Sequence, residues 1–146
     1  MPSRIFYSDW QIRLHWLVVC ILPLLLVTNQ DIKSDWQMAM NNTIQAQNLS
    51  FGSWVHIVCG ITVLFFMLWR AYLRFLNPVA KEKSINKKDI LLDLIKNSVI
   101  YSIYFIIIIM GITGILGWFS VMHTVMELHS KIAPIVITLL MVHILG

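Results

Sequence analysis

The chain has 146 residues, of which 58% are hydrophobic and only 12% are charged, and its mean hydropathy is +0.76. An ordinary soluble domain has about a quarter charged residues, and a disordered chain has few apolar ones, so the composition excludes both classes. The net charge of +4 is compatible with a nucleic-acid surface, but in an apolar chain it is more typical of the cytoplasmic flanks of a membrane protein. We therefore expect a membrane protein with lipid and not nucleic acid around it.

Four stretches are long enough to cross a bilayer, which takes about 20 mostly apolar residues. They lie near residues 10–30, 52–75, 90–119 and 126–146. No small-residue cleavage site follows the first stretch, so we interpret it as a retained span and not as a signal peptide. The sequence thus predicts an all-α fold, a transmembrane four-helix bundle, in which residues 1–146 form a single membrane domain.

The basic residues predict the orientation of this bundle. Seven of the eleven lie between the second and third spans or at the adjoining ends of those spans: Arg70, Arg74, Lys81, Lys83, Lys87, Lys88 and Lys96. Arg4 and Arg13 lie at the start of the first span. By the positive-inside rule, the N-terminus and the loop between spans two and three are cytoplasmic. The fourth span stops at Gly146 without a polar flank, which fits either a natural short end or a fragment.

Histidines are the most informative polar residues of the chain. An ionisable side chain inside a membrane span is costly, so each one is a candidate functional residue. Four of the five lie within the predicted spans or at their edges: His15, His56, His129 and His143. The fifth, His123, falls in the loop before the fourth span, and we expect it on the surface.

Depth in the membrane sorts the four histidines into two pairs. His129 and His143 are fourteen residues apart, so a straight helix places them about 40° apart on one face and about 21 Å apart along its axis. In the predicted orientation His129 shares its depth with His56, and His143 shares its depth with His15. We therefore expect two bis-histidine sites, one above the other, and each site joins two helices.

Two histidines from separate helices are what a haem iron requires of a helical bundle, because its axial ligands approach from opposite sides of a flat ring. A single histidine in a span is often only a hydrogen-bonded polar group, but four at matched depths favour two haems b. Zinc and copper sites instead gather three or four ligands around one point. The sequence therefore predicts His15, His56, His129 and His143 as axial ligands of haem iron.

Arginines and glycines give weaker signals. Arg70 and Arg74 follow His56 by fourteen and eighteen residues, within about 40° of its face. They are candidate partners for the propionates of the inner haem, although plain cytoplasmic anchoring explains them equally well. Gly60 shares the face of His56 and leaves room for a ring or for a neighbouring helix. The glycines of the third span have a three-residue spacing that indicates helix contact: Gly111, Gly114 and Gly117.

These motifs resemble the bacterial cytochrome b561 family of di-haem inner-membrane proteins, and the resemblance covers nearly the whole chain. The segment Arg13-Leu-His-Trp16 is similar to the first-helix signature of that family. The other similar segments are His56-Ile-Val-Cys-Gly60, Met67-Leu-Trp-Arg70, Tyr101 to Gly114, and the pair His129 and His143.

The resemblance implies a function. It implies two haems b, one held by His15 with His143 and one by His56 with His129, in a multi-pass protein of the bacterial inner membrane. It also implies electron exchange with ubiquinone, and one branch of the family oxidises superoxide at the outer face. Whether the chain is an enzyme, such as a superoxide:ubiquinone oxidoreductase, or an electron carrier stays open, as does a redox partner protein or a second copy.

Two alternatives remain at this point. The chain could be the cytochrome b subunit of a hydrogenase or formate dehydrogenase complex, which relays electrons from a soluble partner to quinone. It could also be a metal transporter or a structural membrane protein without haem. Candidate quinone contacts lie at the inner end of span three: Lys96, Asn97 and Tyr101. We also expect Pro134 to kink the fourth span.

Overall fold

The computed structural model of the protein describes residues 7–41, 49–76, 87–119 and 122–145. These residues form five helices and no strand: α1 (Asp9–Val27), α2 (Asn29–Met40), α3 (Phe51–Leu76), α4 (Lys87–Phe119) and α5 (His123–Leu145). All but α2 are long and apolar enough to cross a membrane. The prediction of an all-α fold with four membrane spans is confirmed. Lys81 and Lys83 of the basic loop, Arg4 and Gly146 lie outside the described residues.

The first helix has a defined start and a defined end. Ser8 and Gln11 form a capping box in which each side chain accepts a hydrogen bond from the backbone N–H of the other. At the other end, the backbone N–H and the hydroxyl of Thr28 both donate to the Leu24 carbonyl, at 3.0 and 2.7 Å. The first span was predicted near residues 10–30; α1 ends at Val27, and a new helix begins after the turn at Thr28.

That new helix, α2, lies where the sequence indicated only a loop between spans one and two. Its inward residues recur at three- and four-residue spacing, the pattern of a surface helix: Ile32, Asp35, Trp36 and Ala39. Asp35 is only 5% exposed. Its carboxylate accepts two bonds of 2.8 Å, from the backbone N–H and the hydroxyl of Ser50, just before α3. Trp36 packs against Trp118 of α4, with ring centres 5.7 Å apart.

The four spans pack as successive neighbours, α1 on α3, α3 on α4 and α4 on α5. Their core is a single apolar cluster to which every span contributes: Val18, Val63, Met67, Ile103, Ile107, Ile132 and Val136. On α5, Ile132 and Val136 lie between His129 and His143. The core therefore separates the two ends of the bundle. We call the end with His15, Arg70 and Arg74 the arginine end, and the end with α2 and His56 the α2 end.

A tight connection joins α4 to α5. The Met122 N–H donates to the Gly117 carbonyl at 3.2 Å. A Cβ atom on Gly117 would lie 3.1 Å from the Met126 backbone, so a larger residue would force the two helices apart. This close approach is the kind of helix contact that the glycine spacing predicted. The helix then continues through Pro134 to Leu145.

Candidate functional site

At the arginine end, His15 of α1 and His143 of α5 face each other. Their ring centres are 6.3 Å apart and their planes are inclined by 86°. Two imidazoles that bind one metal ion from opposite sides have nitrogens about 4 Å apart, and each ring centre lies roughly 1.1 Å behind its nitrogen. The expected separation of the centres is thus about 6 Å, close to the observed 6.3 Å.

The second ring nitrogen of His15 has a charged neighbour. Arg70 Nη1 lies 2.7 Å from His15 Nδ1. A guanidinium has no acceptor, so Arg70 donates and His15 accepts. The hydrogen of the neutral ring is then on Nε2. Trp16 packs edge-on against the same ring, with centres 5.7 Å apart.

Arg70 and Arg74 form a cationic cluster beside His15. Arg70 lies over the ring of Tyr104 at 5.7 Å, and Arg74 lies over the ring of Tyr101 at 5.2 Å. An ion pair of the described residues joins Lys131 to Glu127, and no described carboxylate pairs with either arginine. Two partly buried guanidinium groups without a described counter-ion can bind an anion such as a carboxylate.

At the α2 end, His56 of α3 is held by the end of α1. Thr28 Oγ1 lies 3.1 Å from His56 Nδ1. Because the single hydroxyl hydrogen of Thr28 already points to the Leu24 carbonyl, Thr28 accepts and His56 donates. A neutral His56 with its hydrogen on Nδ1 keeps the lone pair of Nε2 free.

His129 of α5 is oriented in the same way. Its Nδ1 lies 2.8 Å from the carbonyl oxygen of Met110 and 3.4 Å from the hydroxyl of Thr113. A carbonyl can only accept, so His129 carries its hydrogen on Nδ1 and leaves Nε2 free. His129 and His56 lie on the same side of the apolar core. Both histidines of the α2 end thus have the tautomer that a metal ligand bound through Nε2 requires.

Gly114 of α4 lies against His129 of α5, a close helix contact of the kind that the glycine spacing predicted. A Cβ atom on Gly114 would lie 2.9 Å from Cε1 and 3.1 Å from Nδ1 of the His129 ring. Gly111, one turn earlier, contacts Leu64 of α3 instead. Next to Gly60, the nearest atom to such a Cβ is Leu25 Cδ2 at 4.0 Å, so the space there is nearly open.

The remaining candidate residues do not join these pairs. His123 is exposed at the start of α5, as predicted. The side-chain amide of Asn97 donates to the Asp93 carbonyl of its own helix at 2.7 Å, while Lys96 is exposed. Tyr101 contacts Arg74. All three proposed quinone residues lie on α4, where Asn97 and Tyr101, four residues apart, share one face.

The described ranges contain no group of three or more His, Cys, Asp or Glu side chains arranged to hold a metal ion. Structural zinc needs four protein ligands and catalytic zinc needs three. Haem iron needs only axial ligands from the protein, because the macrocycle fills the other positions. Pairs of histidines fit that donor set.

Sequence reasoning missed the residues that orient the histidines: Thr28, Met110 and Gly114. Thr28 had a visible signal, since it is the first polar residue after the apolar run of span one. Met110 acts through its backbone carbonyl, so its side chain carries no signal. The Met110 carbonyl lies next to His129 only because α4 packs against α5.

Comparison with known proteins gives one family. The family model of the prokaryotic cytochrome b561 proteins matches residues 7–146 and so includes all four paired histidines. No curated protein and no solved structure matches the chain. Membership of this family indicates a haem b electron-transfer protein, and the four apolar helices make it a multi-pass membrane protein. The chain belongs to the prokaryotic cytochrome b561 family.

Proposed function

We propose that the protein carries electrons across a bacterial inner membrane between two haems b. His15 and His143 would hold one haem at the arginine end, and His56 and His129 would hold the other at the α2 end. The observation that supports this proposal is the contact of His15 with His143 on one side of the apolar core, with His56 and His129 on the other side. Each pair joins two helices, as axial ligands from opposite faces of a ring must do.

When bound, a haem iron with two histidine ligands supplies one-electron redox chemistry. The protein residues hold and orient the ligands. Thr28 and the Met110 carbonyl keep the Nε2 lone pairs of His56 and His129 available. Gly114 leaves the space in which the His129 ring lies. The apolar core between the pairs excludes water, which lowers the local polarity and thereby helps to set redox potential.

Arg70 and Arg74 would bind the propionates of the haem at the arginine end. If His15 binds iron through Nε2, its hydrogen must move to Nδ1, and Arg70 can no longer donate to that nitrogen. The guanidinium then needs another acceptor, and a propionate is a carboxylate suited to it. Arg74 has no described acidic partner and would bind the second carboxylate.

Ubiquinone is the proposed electron partner in the membrane. The resemblance of the motifs to the cytochrome b561 family supports this partner. For the orientation in the membrane, the positive-inside rule supports a cytoplasmic N-terminus and a cytoplasmic loop between α3 and α4. Reduction of the haems by ubiquinol, or their reoxidation by ubiquinone, in proteoliposomes tests this partner. A parallel assay with superoxide separates an oxidase from an electron relay. Copurification of a hydrogenase or formate dehydrogenase subunit would instead indicate a cytochrome b subunit.

Haem content is the direct test of the proposal. We expect the purified protein to contain two haems per chain by pyridine haemochrome assay. Its dithionite-reduced minus oxidised spectrum should show low-spin haem b. A protein that folds in the membrane and binds no haem would contradict the proposal and favour a transporter or a structural role.

A further inference from the structure

We propose that Thr28 is a positioning residue for the haem at the α2 end, and that it acts by fixing the tautomer and the orientation of His56. This inference rests on the proposed function. It assigns a role to the junction between α1 and α2, which otherwise only connects two helices.

The hydroxyl of Thr28 acts as a hydrogen-bond acceptor toward His56. The hydroxyl has a single hydrogen, and the 2.7 Å bond to the Leu24 carbonyl uses it. The oxygen therefore faces His56 Nδ1, 3.1 Å away, with a lone pair. A ring nitrogen in that place must carry a hydrogen. In the opposite tautomer the hydroxyl would have to turn its hydrogen from the Leu24 carbonyl to His56 and give up the 2.7 Å bond, in a site where Thr28 is only 9% exposed.

The position of Thr28 is itself fixed by its surroundings. Its backbone N–H caps α1 through the Leu24 carbonyl. The helix that starts immediately after it, α2, is held against the start of α3 by the two bonds from Ser50 to Asp35. Thr28 is thus anchored on both sides. Because its hydroxyl has little freedom to move, it can hold the His56 ring of α3 in one orientation.

Such a hydrogen bond affects the chemistry of a ligand. A histidine that donates its other N–H to an acceptor is held in one orientation, and the bond raises the basicity of the metal-binding nitrogen. Loss of such a partner lowers metal affinity by about 10- to 100-fold. The Thr28 oxygen is a neutral acceptor and so a weaker partner than a carboxylate, and we therefore expect its effect near the lower end of that range.

The test compares Thr28→Val with Thr28→Ser. Valine keeps the shape of threonine but removes the acceptor, whereas serine keeps the hydroxyl. We expect Thr28→Val to lower the affinity of the α2-end site for haem about tenfold. It should also raise the midpoint potential of that haem, because a less basic ligand stabilises the oxidised iron less. The haem at the arginine end should keep its occupancy and potential, and Thr28→Ser should resemble the wild type.

Three outcomes would overturn the inference: Thr28→Val with wild-type affinity and potential, Thr28→Ser as impaired as Thr28→Val, or an equal loss at both sites. The last two would indicate a structural role for the side chain. Failure of the proposed function is distinguishable, because the wild-type protein would then contain no haem at all. A wild type with two haems and an unaffected Thr28→Val variant contradicts the role of Thr28 alone.

Discussion

The four paired histidines differ most in the environment of the ring nitrogen that would not bind iron. At the α2 end, neutral oxygens of Thr28 and Met110 accept from His56 and His129. At the arginine end, a guanidinium lies beside His15. A fixed positive charge near an iron favours its reduced form, whereas neutral acceptors that make a ligand more basic favour the oxidised form. When Arg70 turns from His15 to a propionate, its positive charge still offsets that carboxylate near the iron, so we expect the arginine-end haem to have the higher potential.

Arg70→Gln tests this difference. Removing the charge beside His15 should lower the midpoint potential of the arginine-end haem. The change should correspond to a free energy on the order of 1 kcal/mol, and the potential of the other haem should not change. Arg13→Gln is the matched control, since Arg13 is exposed and lies over Trp10 at 5.6 Å. A redox titration that resolves both haems gives the answer. Equal shifts in the two variants would show that only the net charge matters.

Gly114→Ala tests the contact between α4 and His129. The new methyl group would lie about 3 Å from the ring, so the ring must move and the α2-end haem should be lost or weakened selectively. Gly111→Ala is the control on the same helix, because its methyl group would meet Leu64 and not a histidine. We expect the control to lower thermal stability without selective loss of one haem. Haem content per chain distinguishes the two, and selective loss in the control would contradict the argument.

The sequence predicted the histidine pairs but not the groups that orient them. Fourteen residues between His129 and His143 define one face and two depths on any regular helix, so the pairing needs only helix geometry. The bond from His129 to the Met110 carbonyl depends on how α4 packs against α5. The contact between Gly114 and His129 depends on the same packing. Local spacing carries no information on such contacts.

At the scale of elements, α2 was the one helix that the sequence analysis missed. It is too short and too polar for a search that looks for about 20 apolar residues. Its inward residues Ile32, Trp36 and Ala39 do show a helical spacing, which a shorter window could have detected. The four spans were easier to predict, because a chain in lipid must satisfy its backbone hydrogen bonds within helices or closed barrels.

Asp35 connects α2 to the rest of the bundle, so Asp35→Ala should detach that helix. The backbone N–H of Ser50 at the start of α3 would lose its partner, which typically costs about 1–3 kcal/mol for a buried group. Lys33→Ala, at an exposed position of the same helix, is the control and should have little effect. Thermal unfolding in detergent, followed by circular dichroism, measures both. A stability of Asp35→Ala equal to that of the control would contradict the role of Asp35 as a clamp.

The clamp should also respond to acid. Burial by itself raises the pKa of Asp35, but the hydrogen bonds from Ser53 and Ser50 outweigh it, and the pKa lies below its ordinary value. A carboxyl with a lowered pKa in the folded state contributes stability above the pKa of the unfolded chain, about 3.9, and loses it as the pH falls through the folded value. The stability difference between the wild type and Asp35→Ala should thus be constant near neutral pH and shrink below about pH 4. A difference that persists unchanged in acid would contradict the assignment to the ionised carboxylate.

At the scale of the whole molecule, the two proposed histidine pairs would form separate sites on one scaffold. Each pair uses one histidine of α5. The partner of His143 is His15 of α1, and the partner of His129 is His56 of α3. The apolar core that all four spans build lies between them. A change at one end should therefore leave the other end able to bind its ligand, as long as the core stays packed.

Single substitutions of the two α5 histidines test this independence, and with it the central claim of two haem sites, most directly. The measurement is haem content per chain, with the reduced minus oxidised spectrum, for the wild type, His129→Ala and His143→Ala. The account predicts two haems in the wild type and one in each variant, with different potentials for the two haems that remain. Loss of both haems in either variant, or one haem in the wild type, would contradict it.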